Sequence, residues 1–262
     1  MLRVELGKTF HRPRTYVLAA ALAVVAVIPS IAAASGGAGG PPFFEAIRRN
    51  GLFAGLTAVA LIQPFFLPLG AALLSGESIA SEASGGTLRY LLVRPVGRRR
   101  LVVQKYLSVV VLLSLSVAWV ALVGLVAGGI AHGFGPLPTL SGTEISAGAA
   151  LVRILGTALY AACGAAALAA IGMVFSTLTE SGPGATVATL AVAIVSQILD
   201  NLPKFEPIHA FLPTHGWLAW PDLFRSPVAW NAIVHGLVSN AAYAAIFLAA
   251  ALVRFSRKDV SS

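Results

Sequence analysis

Six stretches of this chain are long, apolar and almost free of charge, and no other feature restricts its fold as strongly. They run from Tyr16 to Ala34, Gly51 to Leu74, Tyr106 to Ile130, Ala150 to Ser176, Pro183 to Leu199 and Asn231 to Val253. A helix needs about 20 apolar residues to cross the hydrocarbon of a bilayer. None of the six carries a charge in its middle third, where one would cost roughly 2.5–3.5 kcal/mol or more. Arg153 lies near one end of the fourth stretch, from which its long side chain reaches the headgroups. Inside lipid every backbone N–H and C=O has to be paired within the protein, which leaves helices or closed barrels. The runs are roughly two to three times longer than a barrel strand requires. Composition agrees: 11% of residues are charged against about 25% in a soluble domain, and mean hydropathy is +0.85. The expectation is an all-α polytopic membrane protein with six transmembrane helices, residues 1–262 forming a single transmembrane domain.

The charges fix an orientation. The amino-terminal tail (Arg3, Glu5, Lys8, Arg12, Arg14) carries +3, the segment 75–105 carries +4, the link at Glu180 carries −1 and the carboxy-terminal tail carries +2. These four segments share one side and hold the whole net charge of +8, while the opposite side totals zero. The positive-inside rule then predicts that both termini are cytoplasmic, in a cell (plasma or inner) membrane. In a soluble protein the same charge would suggest nucleic acid; here orientation accounts for it, and no nucleic-acid partner is expected. Arg48 and Arg49 fall on the outer side, where an amphipathic stretch lying at the interface would accommodate them. The basic start followed by Ile31-Ala32-Ala33-Ala34-Ser35 also resembles a signal peptide. The run is long for one, and an even span count agrees with the basic tail, so the first stretch is read as a retained span.

Polar and small residues within the spans stand out against this background. Gln63-Pro64-Phe65-Phe66-Leu67-Pro68 interrupts the second span. Each proline removes a backbone donor and bends a helix, and an amide at membrane depth has to face protein or a cavity. Gln63, Pro64 and Pro68 are therefore a candidate helix bend, with a moving joint and a static packing kink as the two readings. Gly51–Gly55 and Gly124–Gly128 are small-xxx-small pairs of the kind that let helices approach closely. Cys163 has no second cysteine to pair with.

The segment between the second and third spans combines several signals. After Glu77 and Glu82 comes Gly85-Gly86, a natural breaker. Thr87 is placed to cap a short helix whose Leu88, Leu91 and Leu92 share one face, while Arg89 and Arg94 point to water or headgroups. Pro95 ends it near Arg94. Such a short amphipathic cytoplasmic helix either rests on anionic lipid, at about 1 kcal/mol per surface Lys or Arg, or fits a groove in a cytoplasmic protein. A pure lipid anchor has no use for Glu77 or Glu82.

The pattern Glu82-x-x-x-Gly86-Thr87-Leu88-Arg89-x-Leu91-Leu92-x-Arg94-Pro95-x-x-Arg98, followed by Lys105, resembles the permease subunits of the second ABC exporter type. The opening Glu5-x-x-Lys8, then Arg12-x-Arg14-Thr15-Tyr16, is similar to the start of the same family, and the six-span layout extends the likeness over nearly the whole chain. The resemblance implies two membrane subunits, a homodimer or a heterodimer, paired with a dimer of cytoplasmic ABC ATPase subunits. It implies an interfacial segment at 1–16 and a coupling loop at 75–105, with Glu82, Gly86, Thr87, Leu88, Arg89, Leu91, Leu92, Arg94, Pro95 and Arg98 contacting the ATPase. ATP and magnesium would then reside on the partner.

The chain offers little chemistry of its own. No Gly-x-x-x-x-Gly-Lys-Ser/Thr sequence appears, and no His-Glu-x-x-His zinc motif either, so no catalytic residue, cofactor or metal ligand is assigned. His209 and His215 flank Pro213 in the last external segment, 200–230, and read as ordinary polar groups before metal ligands. That segment holds Pro203, Pro207, Pro213, Pro221 and Pro227 among Phe205, Phe211, Trp217, Trp220, Phe224 and Trp230. It reads either as short or re-entrant helices over the outer mouth or as an aromatic belt. Asp200 and Asp222 could flank an exit path. An integral membrane scaffold or regulator recruiting a cytoplasmic protein is the alternative to a permease. A secondary transporter is the third reading, weakened by the absence of charged intramembrane residues and of a recognisable inverted repeat.

Overall fold

The computed structural model of the chain describes residues 7, 13–35, 42–84 and 97–257. Helix α1 spans Pro13–Ser35, and the short α2 spans Pro42–Arg49. Helices α3 (Leu52–Ile62) and α4 (Phe66–Ser84) follow, then α5 (Arg98–His132). A two-stranded antiparallel hairpin, β1 (Leu137–Pro138) with β2 (Glu144–Ile145), leads into α6 (Ala147–Leu178) and α7 (Gly182–Asp200). Short helical turns at Pro203–Phe205 and Glu206–His209 and a 3-10 segment at Trp217–Phe224 precede α8 (Trp230–Arg257).

Helices α1, α5, α6, α7 and α8 are each long and apolar enough to cross a bilayer, and α3 with α4 makes a sixth passage if that pair, bent by 52°, counts as one broken span. The protein is thus an all-helical polytopic membrane protein with five to six long apolar helices. The 35-residue α5 is about 50 Å long at ~1.5 Å per residue, well beyond a hydrocarbon layer of about 30 Å. Its basic first two turns, from Arg98 to Lys105, lie ahead of the span read from the sequence.

Helix α6 is the centre of the bundle and packs against α3, α4, α5, α7 and α8. Its alanine-rich sequence explains this. Ala158, Ala161, Ala165, Ala167, Ala169 and Ala170 are buried on all sides of the helix, and a helix that is apolar all round belongs in the interior. Small side chains also set a close crossing between α3 and α5. A Cβ added at Gly124 would lie 2.8 Å from Ala58 Cβ and 3.0 Å from the Ala54 carbonyl oxygen, and one at Gly55 would lie 2.7 Å from Leu125 Cγ. Gly51 and Gly128 meet backbone to backbone. The two small-xxx-small pairs read from the sequence therefore pack against each other.

The helix of the second span does not stop at Leu74. Helix α4 continues to Ser84, and the stretch Ser75-Gly76-Glu77-Ser78, loop-like in composition, is a helix interface. Gly76 packs on Thr186, where a Cβ would come within 2.7 Å of the backbone nitrogen, and Ser75 packs on Gly172. Ser176 Oγ accepts from the amides of Ile79 and Ala80, both at 3.0 Å. Polarity and small size here serve close packing against α6 and α7, a use that composition alone does not distinguish from a turn.

Contacts sort the helix ends into two groups. Glu82, Lys105, Arg98 and Ser256 meet at one end. At the other, Asn50 donates to the carbonyls of Gly135 (2.9 Å) and Pro136 (3.0 Å) and accepts from Leu52 N (3.0 Å), and Leu140 N donates to Phe224 O (2.9 Å). This second end, with α2, the hairpin and the segment 203–224, is called the capped end below.

Candidate functional site

The break between α3 and α4 is where polar chemistry enters the apolar bundle. Gln63 N still donates to Val59 O at 3.2 Å. Pro64 has no N–H, and regular bonding resumes with Leu69 N to Phe65 O at 3.0 Å. Pro68 sits in the first turn of α4, where its missing donor costs little. Gln63 is 2% exposed, and both ends of its amide are used. Nε2 donates to Trp217 O at 2.6 Å, and Oε1 accepts from Trp220 Nε1 at 2.9 Å. From α7, Gln197 Nε2 donates to Pro64 O at 3.1 Å. Helices α3 and α4 meet at 52° across residues 63–65, with Pro68 inside α4, and the proline- and aromatic-rich segment clasps the break.

That segment is itself held from below. Tyr160 of α6 donates its hydroxyl to Gly216 O at 2.6 Å, and Gly216 has φ +78°, in the region that favours glycine. Ser196 and Thr214 hydroxyls lie 2.6 Å apart, and Ser196 Oγ also accepts from Thr214 N at 3.2 Å. Trp217 packs its indole where Gly164 leaves no side chain. Short helical turns at Pro203–Phe205, Glu206–His209 and Trp217–Phe224 thus fold over this end of the bundle.

A cavity of about 390 Å³ adjoins the break, lined by Gln63, Pro64, Gln197, Asp200, His215 and Asp222 among others. Asp200 lies 2.6 Å from His215 Nδ1 and 3.9 Å from His209 Nδ1, while His209 Nε2 is 3.0 Å from Leu199 O. The two imidazoles come together, with ring centroids 6.1 Å apart, around one carboxylate. No group of three or more His, Cys, Asp or Glu side chains among the described residues could hold a metal ion. Asp222 is paired with Arg225 at 2.6 Å. The sequence singled out Gln63 and the two aspartates. It missed Gln197, Tyr160 and the Ser196–Thr214 pair. A polar residue recurring within an apolar span was the available signal for Gln197.

At the opposite end, Lys105 Nζ and Glu82 Oε1 lie 2.6 Å apart, the lysine side chain 7% exposed and the glutamate 23%. This pair ties the end of α4 to the start of α5. Arg98 Nη1 reaches Ser256 O in the last turn of α8 at 3.4 Å. Gly86, Thr87, Leu88, Arg89, Leu91, Leu92, Arg94 and Pro95, and with them the short amphipathic helix read from the sequence, lie outside the described residues. Most of the tail 1–16 lies outside them as well.

A family model described as a protein of unknown function, DUF2705, matches residues 22–261, nearly the whole chain, and the chain belongs to that family. No curated protein matches it.

Proposed function

We propose that this member of the DUF2705 family is the transmembrane permease subunit of an ATP-driven transporter of the second ABC exporter type. It works as a dimer with a separate dimer of cytoplasmic ABC ATPase subunits, in a cell membrane with both termini cytoplasmic. The chain performs no hydrolysis itself; ATP and magnesium belong to the partner. The observation that carries this reading is the shape of the second span. Helix α4 is continuous from the Gln63 break to Ser84, about 28 Å at ~1.5 Å per residue. One of its ends abuts the motif that resembles a coupling loop, and the other abuts the cap.

The mechanical consequence is direct. An ATPase that grips Arg89, Arg94 and their neighbours pulls on the segment between α4 and α5, two helices that the Glu82–Lys105 pair ties together. Displacement passes along α4 as a rigid rod, since packed helices shift between discrete arrangements rather than deform continuously. The break is where such a rod turns relative to α3, and its amide contacts to the cap are what turning must exchange. Closure of the ATPase below is thereby converted into opening or sealing at the capped end. The charge-free centres of the apolar helices favour this reading over ordinary proton-coupled secondary transport. A membrane scaffold would not require a broken span latched to a cap.

The test is co-purification with an ABC ATPase followed by ATPase and transport assays in liposomes. Replacing Arg89, Arg94 and Arg98 together should abolish ATPase binding. Gln63→Leu should preserve binding but reduce transport per ATP hydrolysed. Stable insertion with no ATPase partner would favour the scaffold or secondary-transporter reading.

A further inference from the structure

We propose that Asp200, His209 and His215 form a proton-operated tie that fastens the cap to α7 when the capped side of the membrane acidifies. Asp200 ends α7, and both histidines belong to the cap. His215 Nδ1 lies 2.6 Å from Asp200 Oδ1, and His209 Nδ1 lies 3.9 Å from the same oxygen. His209 Nε2 sits 3.0 Å from Leu199 O and 3.3 Å from Leu202 O. Carbonyl oxygens only accept, so a neutral His209 carries its hydrogen on Nε2. Its Nδ1 then turns a lone pair toward a carboxylate oxygen. His215 donates its own N–H to that carboxylate. The two donors of two neutral imidazoles are thus both in use, and the remaining contact, His209 to Asp200, lacks a proton. One added proton makes the trio neutral overall. A second would set two cations, with ring centroids 6.1 Å apart, around a single anion. The cluster therefore takes up one proton, held by the three groups together.

The charges on neighbouring elements leave this balance in place. Lys204 and Glu206, in the turns that lead to His209, are exposed and of opposite sign. Asp222 lines the same cavity as Asp200 and His215 and is paired with Arg225 at 2.6 Å. From α8, His235 shares a second cavity with His215, and its Nδ1 is 3.0 Å from Asn231 O. From α6, Tyr160 donates to Gly216 O and Arg153 to Arg225 O. Tyr243 of α8 donates to Phe211 O. Opening the cap carries both imidazoles away from Asp200 into water. The closed cap accordingly holds more protons than the open one, and by linkage acid favours closure. Histidine is the side chain whose charge changes between about pH 5 and 8. With both termini cytoplasmic, as proposed above, the tie reads external pH. Helix α7 also gives Ser196 to Thr214 and Gln197 to Pro64 O, so the same step steadies the break. The tie goes beyond the transport reading, and its test needs no ATPase.

The experiment follows hydrogen–deuterium exchange of residues 203–216 in the full chain in phosphatidylcholine nanodiscs, corrected for the intrinsic pH dependence of amide exchange. Protection should rise about threefold in a single step between about pH 7.5 and about pH 5.5, on the scale of one ion pair in the histidine range. Asp200→Asn should abolish the step. So should His209→Gln combined with His215→Gln, which keeps side-chain donors without a titrating group. His235→Gln and Glu206→Gln should leave it intact. Protection that is flat or falls with acid in the unaltered protein would overturn the proposal, as would a step that survives in either of the first two variants.

Discussion

Replacing Gln63 with leucine tests the latch at the broken span. Leucine fills nearly the same space but offers no polar atom. The substitution leaves the Trp220 N–H and the Trp217 carbonyl without the partners they have at 2.9 and 2.6 Å. Hydrogen bonds between helices in membrane proteins average about 0.6 kcal/mol and reach about 1.7. Two of them give an expected loss of ~1–3 kcal/mol. A double-mutant cycle with Trp220→Phe isolates one bond, and its coupling energy should be ~0.6–1.7 kcal/mol, above the ~0.3–0.5 kcal/mol scatter of independent sites. Equilibrium unfolding in mixed micelles, followed by far-ultraviolet circular dichroism, measures this without relying on tryptophan emission. Additive effects in the cycle, with a loss below ~0.5 kcal/mol for Gln63→Leu, would refute the claim that the amide joins the break to the cap.

Three further outcomes are expected. Gly124→Val should separate α3 from α5 and destabilise the protein by ~1–3 kcal/mol through overpacking, whereas Gly148→Ala in the first turn of α6, with nothing within 4 Å, should be neutral or slightly stabilising in the same unfolding assay. Lys105→Met should cost ~1–3 kcal/mol by removing the ion pair with the largely buried Glu82, and the added change Glu82→Leu should recover part of it, since a buried pair is replaceable by apolar groups. The hydrogen bond and charge of Arg48, then Arg49, hold the Glu45 carboxyl below the ordinary glutamate range. Its folded pKa is lowered, so its contribution is present above the unfolded value and lost as pH falls through the folded one. A carboxyl carbon titration by NMR should show a low midpoint that rises in Arg48→Ala.

The elements most legible in the sequence were those set by hydrophobicity and length. Runs of about 20 apolar residues leave one backbone solution in lipid, and five of them appear as continuous helices. The bend at Gln63-Pro64 was legible because a missing donor acts locally. The partners of Gln63 were not, since Trp217 and Trp220 lie more than 150 positions away and no local rule links them. The extension of α4 to Ser84 escaped for a different reason. Serine and glycine serve turns and tight helix crossings equally well, and only the presence of Gly172, Thr186 and Ser176 opposite them decides which. Glu82 was assigned to a partner protein through resemblance, and within the chain it pairs with Lys105 across 23 positions, which no local rule links.

The break and the cap are best understood as one unit, for a reason rooted in solvation. Interrupting a helix at membrane depth leaves backbone carbonyls without their usual donors, and lipid cannot supply replacements. Here protein supplies them. Gln197 reaches Pro64 O, and the Gln63 amide is spent on the cap rather than left unpaired. The broken geometry is therefore stable only while α7 and the segment 214–220 stay in place. Conversely, the carbonyl of Trp217 and the indole of Trp220 are satisfied only while the break is present. Neither half can be rearranged alone without orphaning buried polar groups at about 1–3 kcal/mol each. Any motion of α4 that changes the 52° bend must move the cap with it. A single buried glutamine thus couples a rod that ends near the basic segment to the aromatic cover at the opposite end of the bundle.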